Sequence, residues 1–188
     1  MRRVVSVTAR HIAFLFSEGA DMTLIGQVGI VHSRRWGIGR LVQLVTGSHW
    51  NHTIVALPFG RCVSAEPGGA IVRPIAYYTR DHDIAWSQFT LDRAARHRIV
   101  EVALRHKGVE YGYGDFIAAG IASITRRATP EWLRRIVSRP DRLICSQLCD
   151  LALQAGGEHL FRDNRPNGAV TPADFGREYR DRGWTDRD

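Results

Sequence analysis

HTIVALPFGRCVSAEPGGAIVRPI, residues 52–75, holds three short runs of branched and small apolar residues, HTIVAL, RCVSAEP and GAIVRPI. They are punctuated by Pro58, Gly60 and the Pro67-Gly68-Gly69 cluster. Runs of this length between glycine and proline breakers read as β-strands, and turns this short join neighbours antiparallel, so the segment predicts a three-strand meander. Upstream, TLIGQVGIVHS (Thr23 to Ser33) has the branched apolar and glycine content of a first strand. In WGIGRLVQLVTG, Ile38, Leu41, Val42 and Val45 follow the three-and-four spacing of a buried helical stripe, with Gly47 as its stop. Downstream, DIAWSQFTL supplies a further strand.

From Asp92 the pattern turns helical. DRAARHRIVEVALRHKG carries an aspartate suited to cap the start, Ile99, Val102, Ala103 and Leu104 toward one side, and Gly108 as a stop. GDFIAAGIASITRR and PEWLRRIVS read as short helices, CSQLCDLALQAG as another, and VTPADFGREYRDRG as a turn leading into a last short helix. The sum is an α+β chain, an antiparallel sheet flanked by helices. Its 188 residues fit one domain, with residues 1–20 as a peripheral N-terminal extension.

Composition narrows the function classes. No apolar run reaches the length of a membrane span, and MRRVVSVTARHIAFLF is broken by Arg10 and His11 with no small-residue cleavage site after it, so a secretory signal is not expected. The three cysteines, Cys62, Cys145 and Cys149, form no even framework, which predicts free thiols and a cytoplasmic, reducing setting. The net charge is +7. A basic balance suits phosphate, but the arginines are scattered from Arg2 to Arg187, often beside Asp or Glu, and their clusters are not interleaved with aromatics. Nucleic acid is therefore not the expected partner. A zinc module built on Cys145 and Cys149 would have to use a C-x-x-x-C spacing without a second pair, so no metal is expected either.

Cys145 opens the helical run CSQLCDLALQAG. A helix N-terminus, with its unpaired N–H groups and positive dipole end, stabilises a thiolate and receives an oxyanion. Cys149, one turn deeper among Leu148, Leu151 and Ala152, reads as a buried hydrophobe. The base comes from His52, which opens its strand and shares a face with Ile54 and Ala56 by the two-residue period. Cys62, Ser64 and Glu66 share a face of the next strand. If PFGR is the turn, His52 lies opposite Glu66, whose carboxylate would orient the imidazole.

In this order the residues resemble a family, the circularly permuted papain-like amidohydrolases of the NlpC superfamily, of the YiiX and YaeF type, distantly similar to lecithin retinol acyltransferase. The family's SHVGIV is similar to NHTIVA at Asn51 to Ala56, and its EA followed by GV to SAEPGGAIVRPI. Its G-x-P-Y is similar to GVEY at Gly108 to Tyr111, its YCSEL to ICSQL at Ile144 to Leu148, and its later TP to Thr171-Pro172. Gln147 stands where the family has an acidic residue, Glu110 where it has proline, and the sequel to His52 lacks the family's small glycine-containing stretch. The resemblance implies a Cys145 nucleophile, His52 as general base and then acid, Glu66 as the orienting member, and Tyr111 as a cleft residue bonding the acyl group. It also implies peptide, acyl-amide or ester substrates, such as cell-wall peptides and acyl lipids, and no metal or organic cofactor. The alternative is a non-catalytic binding module of the same fold, using its basic surface for an acidic polymer or nucleic acid.

Overall fold

The computed structural model describes residues 23–33, 43, 46–66, 69–80, 82–108, 145–161 and 170–187. Within them run β1 (Val28–Ser33), β2 (His52–Leu57), β3 (Arg61–Glu66), β4 (Gly69–Pro74), α1 (Ala76–Thr79), β5 (His82–Trp86), α2 (Arg93–Arg105), α3 (Cys145–Gly156) and α4 (Pro172–Asp181). The five strands form one antiparallel sheet in the order β4-β3-β2-β1-β5. The meander expected between residues 52 and 75 is present, and the chain is α+β, with helices packed against the sheet.

Both faces of the central strands are covered, which is why β2 reads as a continuous apolar run rather than an alternating one. One face presents Val28, Ile30, Val55, Leu57, Val63 and Ala65 to the buried side chains of α2, α3 and α4. On the other, Val31, Ile54 and Cys62 pack with Tyr78 from α1, flanked by Ile75, Ile84 and Trp86. The four-residue α1 has no counterpart in the sequence reading, because four residues do not display a helical period.

Local chemistry fixes the helices. The Asp92 carboxylate accepts from Ala95 N at 2.6 Å and caps α2, which buries Ile99, Val100 and Ala103. α4 opens with a reciprocal box: Thr171 Oγ1 accepts from Asp174 N at 3.3 Å while the Asp174 carboxylate accepts from Thr171 N at 2.8 Å, with Pro172 in the first turn. The first strand begins later than Thr23. Gln27 N donates to Leu24 O at 2.9 Å and Gly26 takes φ +80°, so residues 23–26 form a turn before β1. Gly47 N donates to Gln43 O at 2.8 Å, as a helix stop would; the rest of the helix expected before it lies outside the described residues, as do the helices expected in 114–127 and 130–138.

The direction of α3 follows from three contacts. The Cys149 thiol sits on the Thr53 hydroxyl. At the other end Gly156 lies against Ile99 and the Ala95 carbonyl, so closely that a Cβ there would come within 2.6 Å of Ile99 Cγ1. Ile99 in turn lies beside Gly26, whose N–H donates to Ala56 O at 3.0 Å. α3 therefore runs parallel to β2, with its N-terminus toward the His52 end of the sheet. Among the described residues, no helix is long and apolar enough to cross a membrane.

Candidate active site

The paired register between β2 and β3 runs from Leu57–Arg61 to Ile54–Ser64, which brings the start of β2, at His52, and the end of β3, at Glu66, to the same end of the sheet. The hydrogen bonds take a diagonal route. His52 Nε2 is 2.7 Å from Ser64 Oγ, and Ser64 Oγ is 3.2 Å from Glu66 Oε1. The carboxylate thus reaches the imidazole through the serine.

Three further groups converge on this relay. Arg73, on β4, clamps Glu66 with both arms of its guanidinium, Nε to Oε1 and Nη2 to Oε2, each at 2.7 Å. The Tyr78 hydroxyl, delivered by α1, bonds Glu66 Oε1 and also lies 2.6 Å from Ser64 Oγ. Burial by itself would raise the Glu66 carboxyl, but the bonds from Arg73 and Tyr78 outweigh it and hold the group below the usual carboxylate range. Burial and the adjacent carboxylate push the Tyr78 phenol up, so it stays a donor. On the same face the Cys62 thiol is pushed up to about 12, by burial first and then by Glu66, and is inert.

Each hydroxyl has one proton to give, and the ionised carboxylate accepts only. Two arrangements satisfy that count: Tyr78 and Ser64 both donate to Glu66 and Ser64 Oγ accepts from His52 Nε2–H, or Tyr78 donates to Glu66 while Ser64 donates to His52 Nε2. A general base at Nδ1 uses the first of them.

Cys145 is the first residue of α3, and one helical turn separates it from Cys149, which touches Thr53. Its thiol therefore lies at the end of the sheet where β2 begins and β3 ends. It is 2% exposed and belongs to the core cluster on the helix-covered face, the one that also takes in Val55 and Ala65. His52 shares the opposite face with Ile54. The structure thus brings His52 and Glu66 together through Ser64 and sets Cys145 at the same end of the sheet, on its other face. Tyr111 lies outside the described residues. Among the described residues no group of three or more His, Cys, Asp or Glu side chains is arranged to hold a metal ion.

Sequence reasoning gave Ser64 a face but no role, and passed over Arg73 and Tyr78. The two-residue period that puts Ser64 between Cys62 and Glu66 is the signal that could have found the serine. Nothing in the sequence period announces that α1 folds Tyr78 back over β3. No protein-family model matches the chain, and no curated protein matches it.

Proposed function

We propose that this chain is a cysteine-dependent amidase or peptidase with a permuted papain-like, NlpC-type fold, acting through an acyl-enzyme on Cys145. The observation that supports this best is the direction of α3: the Cys145 end of the helix and the His52–Ser64–Glu66 relay share one end of the sheet. The reaction requires the Cys145 thiol and the His52 ring, which lie on opposite faces at the same end of the sheet, to be brought together; the thiol then gives its proton to His52 Nδ1 and the sulfur adds to the substrate carbonyl carbon. The oxyanion is received by N–H groups at the start of α3. Collapse breaks the bond to the leaving amine, which takes the proton from His52; water, deprotonated by the same nitrogen, then releases the acid and restores the thiol. Glu66, acting through Ser64, favours the imidazolium that forms in both steps. By resemblance, Tyr111 would bond the acyl group, and cell-wall peptides and acyl lipids are the substrate classes to try. The unbridged Cys62, Cys145 and Cys149 support a cytoplasmic setting.

The test is labelling of the folded protein with an acyloxymethyl ketone probe, mapped by mass spectrometry. Cys145 is expected to carry the label, and Cys145→Ala to lose it. Label on Cys62 or Cys149 in its place overturns the reading.

One observation favours a second reading. Cys145 is almost fully buried on the face that His52 does not share, as suits a descendant of the fold that has kept its shape and binds an acidic polymer or nucleic acid through its basic surface. An unlabelled Cys145 together with salt-sensitive retention on immobilised heparin would favour it.

A further inference from the structure

Among the described residues β5 is the last strand of the sheet, and its outer side is not blank. Ser87 N donates to Val28 O at 2.8 Å, and the register pairs Ala85 with Ile30 and Asp83 with His32. Hydrogen-bonded and non-bonded pairs alternate along an antiparallel ladder, so these residues turn their main chain toward β1, while Ile84 and Trp86 turn theirs outward. The β1–β2 side agrees: Ala56 N donates to Gln27 O at 2.9 Å, which commits the odd-numbered residues of β1 to β2 and leaves the even ones for β5. Ile84 and Trp86 thus present two N–H and two C=O groups, spaced as a partner strand needs them.

Beside this edge lies a groove. Two cavities, of about 710 and about 460 Å³, share Ile84, Ala85 and Trp86 as one wall and Thr185 and Arg187 as the other, so together they follow the length of β5. The far wall is fixed: Trp50 Nε1 donates to Arg187 O at 3.3 Å, Arg187 Nη1 bonds the Asp83 carboxylate at 2.5 Å, and Trp184 packs edge-on against Phe89 with ring centroids 5.0 Å apart. At the Phe89 end the larger cavity is lined by Arg96. Its half-buried guanidinium donates to three carbonyls, of Leu91, Thr23 and Ile25, at 3.1, 3.2 and 2.5 Å, and has no carboxylate partner among the described residues. Asp186, on the rim, is exposed and does not pair with it.

From this juxtaposition we infer that the groove is a peptide-binding site. An extended peptide adds to the sheet as a sixth strand, exchanging main-chain hydrogen bonds with Ile84 and Trp86, and sets a carboxylate on Arg96. Main-chain pairing gives such a site tolerance of sequence, the Trp86, Phe89 and Trp184 rings give it apolar walls, and the Arg96 cation fixes which end of the peptide lies where. The inference is independent of the thiol chemistry.

The test is NMR titration of the full ¹⁵N-labelled chain with acetyl-Val-Thr-Val-Thr-Val-Glu bearing a free C-terminal carboxylate. The amides of Ile84 and Trp86 and the Trp184 indole are expected to shift, and the two amides to gain protection from hydrogen exchange. Two N-methylated versions of the peptide, one blocked at the valine amides and the other at the threonine amides, must differ: only one set faces β5, so one version binds like the parent and the other does not. Replacing Glu by Gln and amidating the C-terminus should weaken binding about tenfold or more, the loss of a charge-assisted hydrogen bond. Equal binding by both methylated peptides, indifference to the carboxylates, or no shifts along 82–87 at millimolar peptide would each overturn the proposal. Because only the peptide is altered, no outcome can be ascribed to a misfolded variant.

Discussion

Glu66 carries the largest local charge burden in the candidate site, and its neighbours decide what its loss would do. Its folded pKa lies below its unfolded value of about 4.3, so its contribution to stability is present above that value and is lost as pH falls through the folded pKa. Glu66→Gln removes that dependence. Urea unfolding between pH 7 and pH 3 should show the wild type losing stability across the acid range and the variant staying flatter, after an initial loss of about 1–3 kcal/mol at pH 7 from leaving Arg73 without its partner. If His52 is the base, the same variant should also move the alkaline limit of Cys145 labelling to lower pH, since the charge that favours the imidazolium is gone.

Ser64 separates two roles for this relay. It is fully buried, and Ser64→Ala leaves His52 Nε2 without its partner, at about 1–2 kcal/mol of stability. A merely structural serine would lower the melting temperature and leave the pH dependence of Cys145 labelling where it was. A relay serine shifts that dependence too, and Ser64→Thr, which keeps the hydroxyl, restores it. A labelling profile that is the same in all three proteins would show that Glu66 and His52 are uncoupled.

At the scale of elements, the contact between α2 and α3 is set by the missing side chain of Gly156. A Cβ there would come within 2.6 Å of Ile99 Cγ1 and 2.7 Å of its Cδ1. Gly156→Ala should therefore cost about 1–3 kcal/mol by chemical denaturation despite alanine's better helix propensity, and the added Ile99→Ala should couple favourably with it rather than add. At the start of α2, Asp92→Ala should cost about 1 kcal/mol through the lost cap on Ala95 N.

Why some elements were legible and others were not follows from the same physics. β2, β3 and β4 announce themselves because proline and glycine breakers bound runs of strand-forming residues, and the turn at 58–60, one residue shorter than the PFGR expected, sets Leu57 opposite Arg61. That the start of β2 and the end of β3 share one end of the sheet could therefore be read from residue counting. The cap of α2 and the span of α3 are likewise local properties. The hydrogen-bond route through Ser64 is a choice between a directly opposed and a diagonal neighbour, which the period of two does not decide. Arg73 and Tyr78 reach Glu66 only after β4 and α1 have folded back, and Cys145 takes its face of the sheet from helix packing. Those are tertiary facts.

At the scale of the whole molecule, residues 184–187 tie together β5, α4 and the start of β2. Trp184 packs against both Phe89 and Tyr179 at 5.0 Å between centroids, Trp184 N donates to Tyr179 O, and Arg187 bonds Asp83 and Trp50. Removing residues 184–188 should lower the melting temperature by roughly 5–10 °C, as the loss of about 2–3 kcal/mol implies for a chain of this size, and should expose Phe89 to hydrophobic dyes. The same deletion takes away the far wall of the β5 groove, so the peptide titration should lose its shift pattern along 82–87.

The Tyr179 hydroxyl donates to Val28 O at 2.7 Å, a buried bond between residues 151 positions apart. During synthesis the meander of β2, β3 and β4 can pair as soon as it leaves the ribosome, because its contacts are near neighbours in sequence. β1 cannot be finished so early. It waits for β5 on one side and for Tyr179 of α4 to reach Val28, and α4 is made after the five strands, α2 and α3. Until then the nascent chain holds a paired but half-covered sheet, with Val28, Ile30 and Val55 open to any apolar surface nearby. A ribosome stalled before residue 172 should therefore present a chain that trigger-type chaperones hold and proteases cut, and one stalled well beyond residue 187 a chain that resists both.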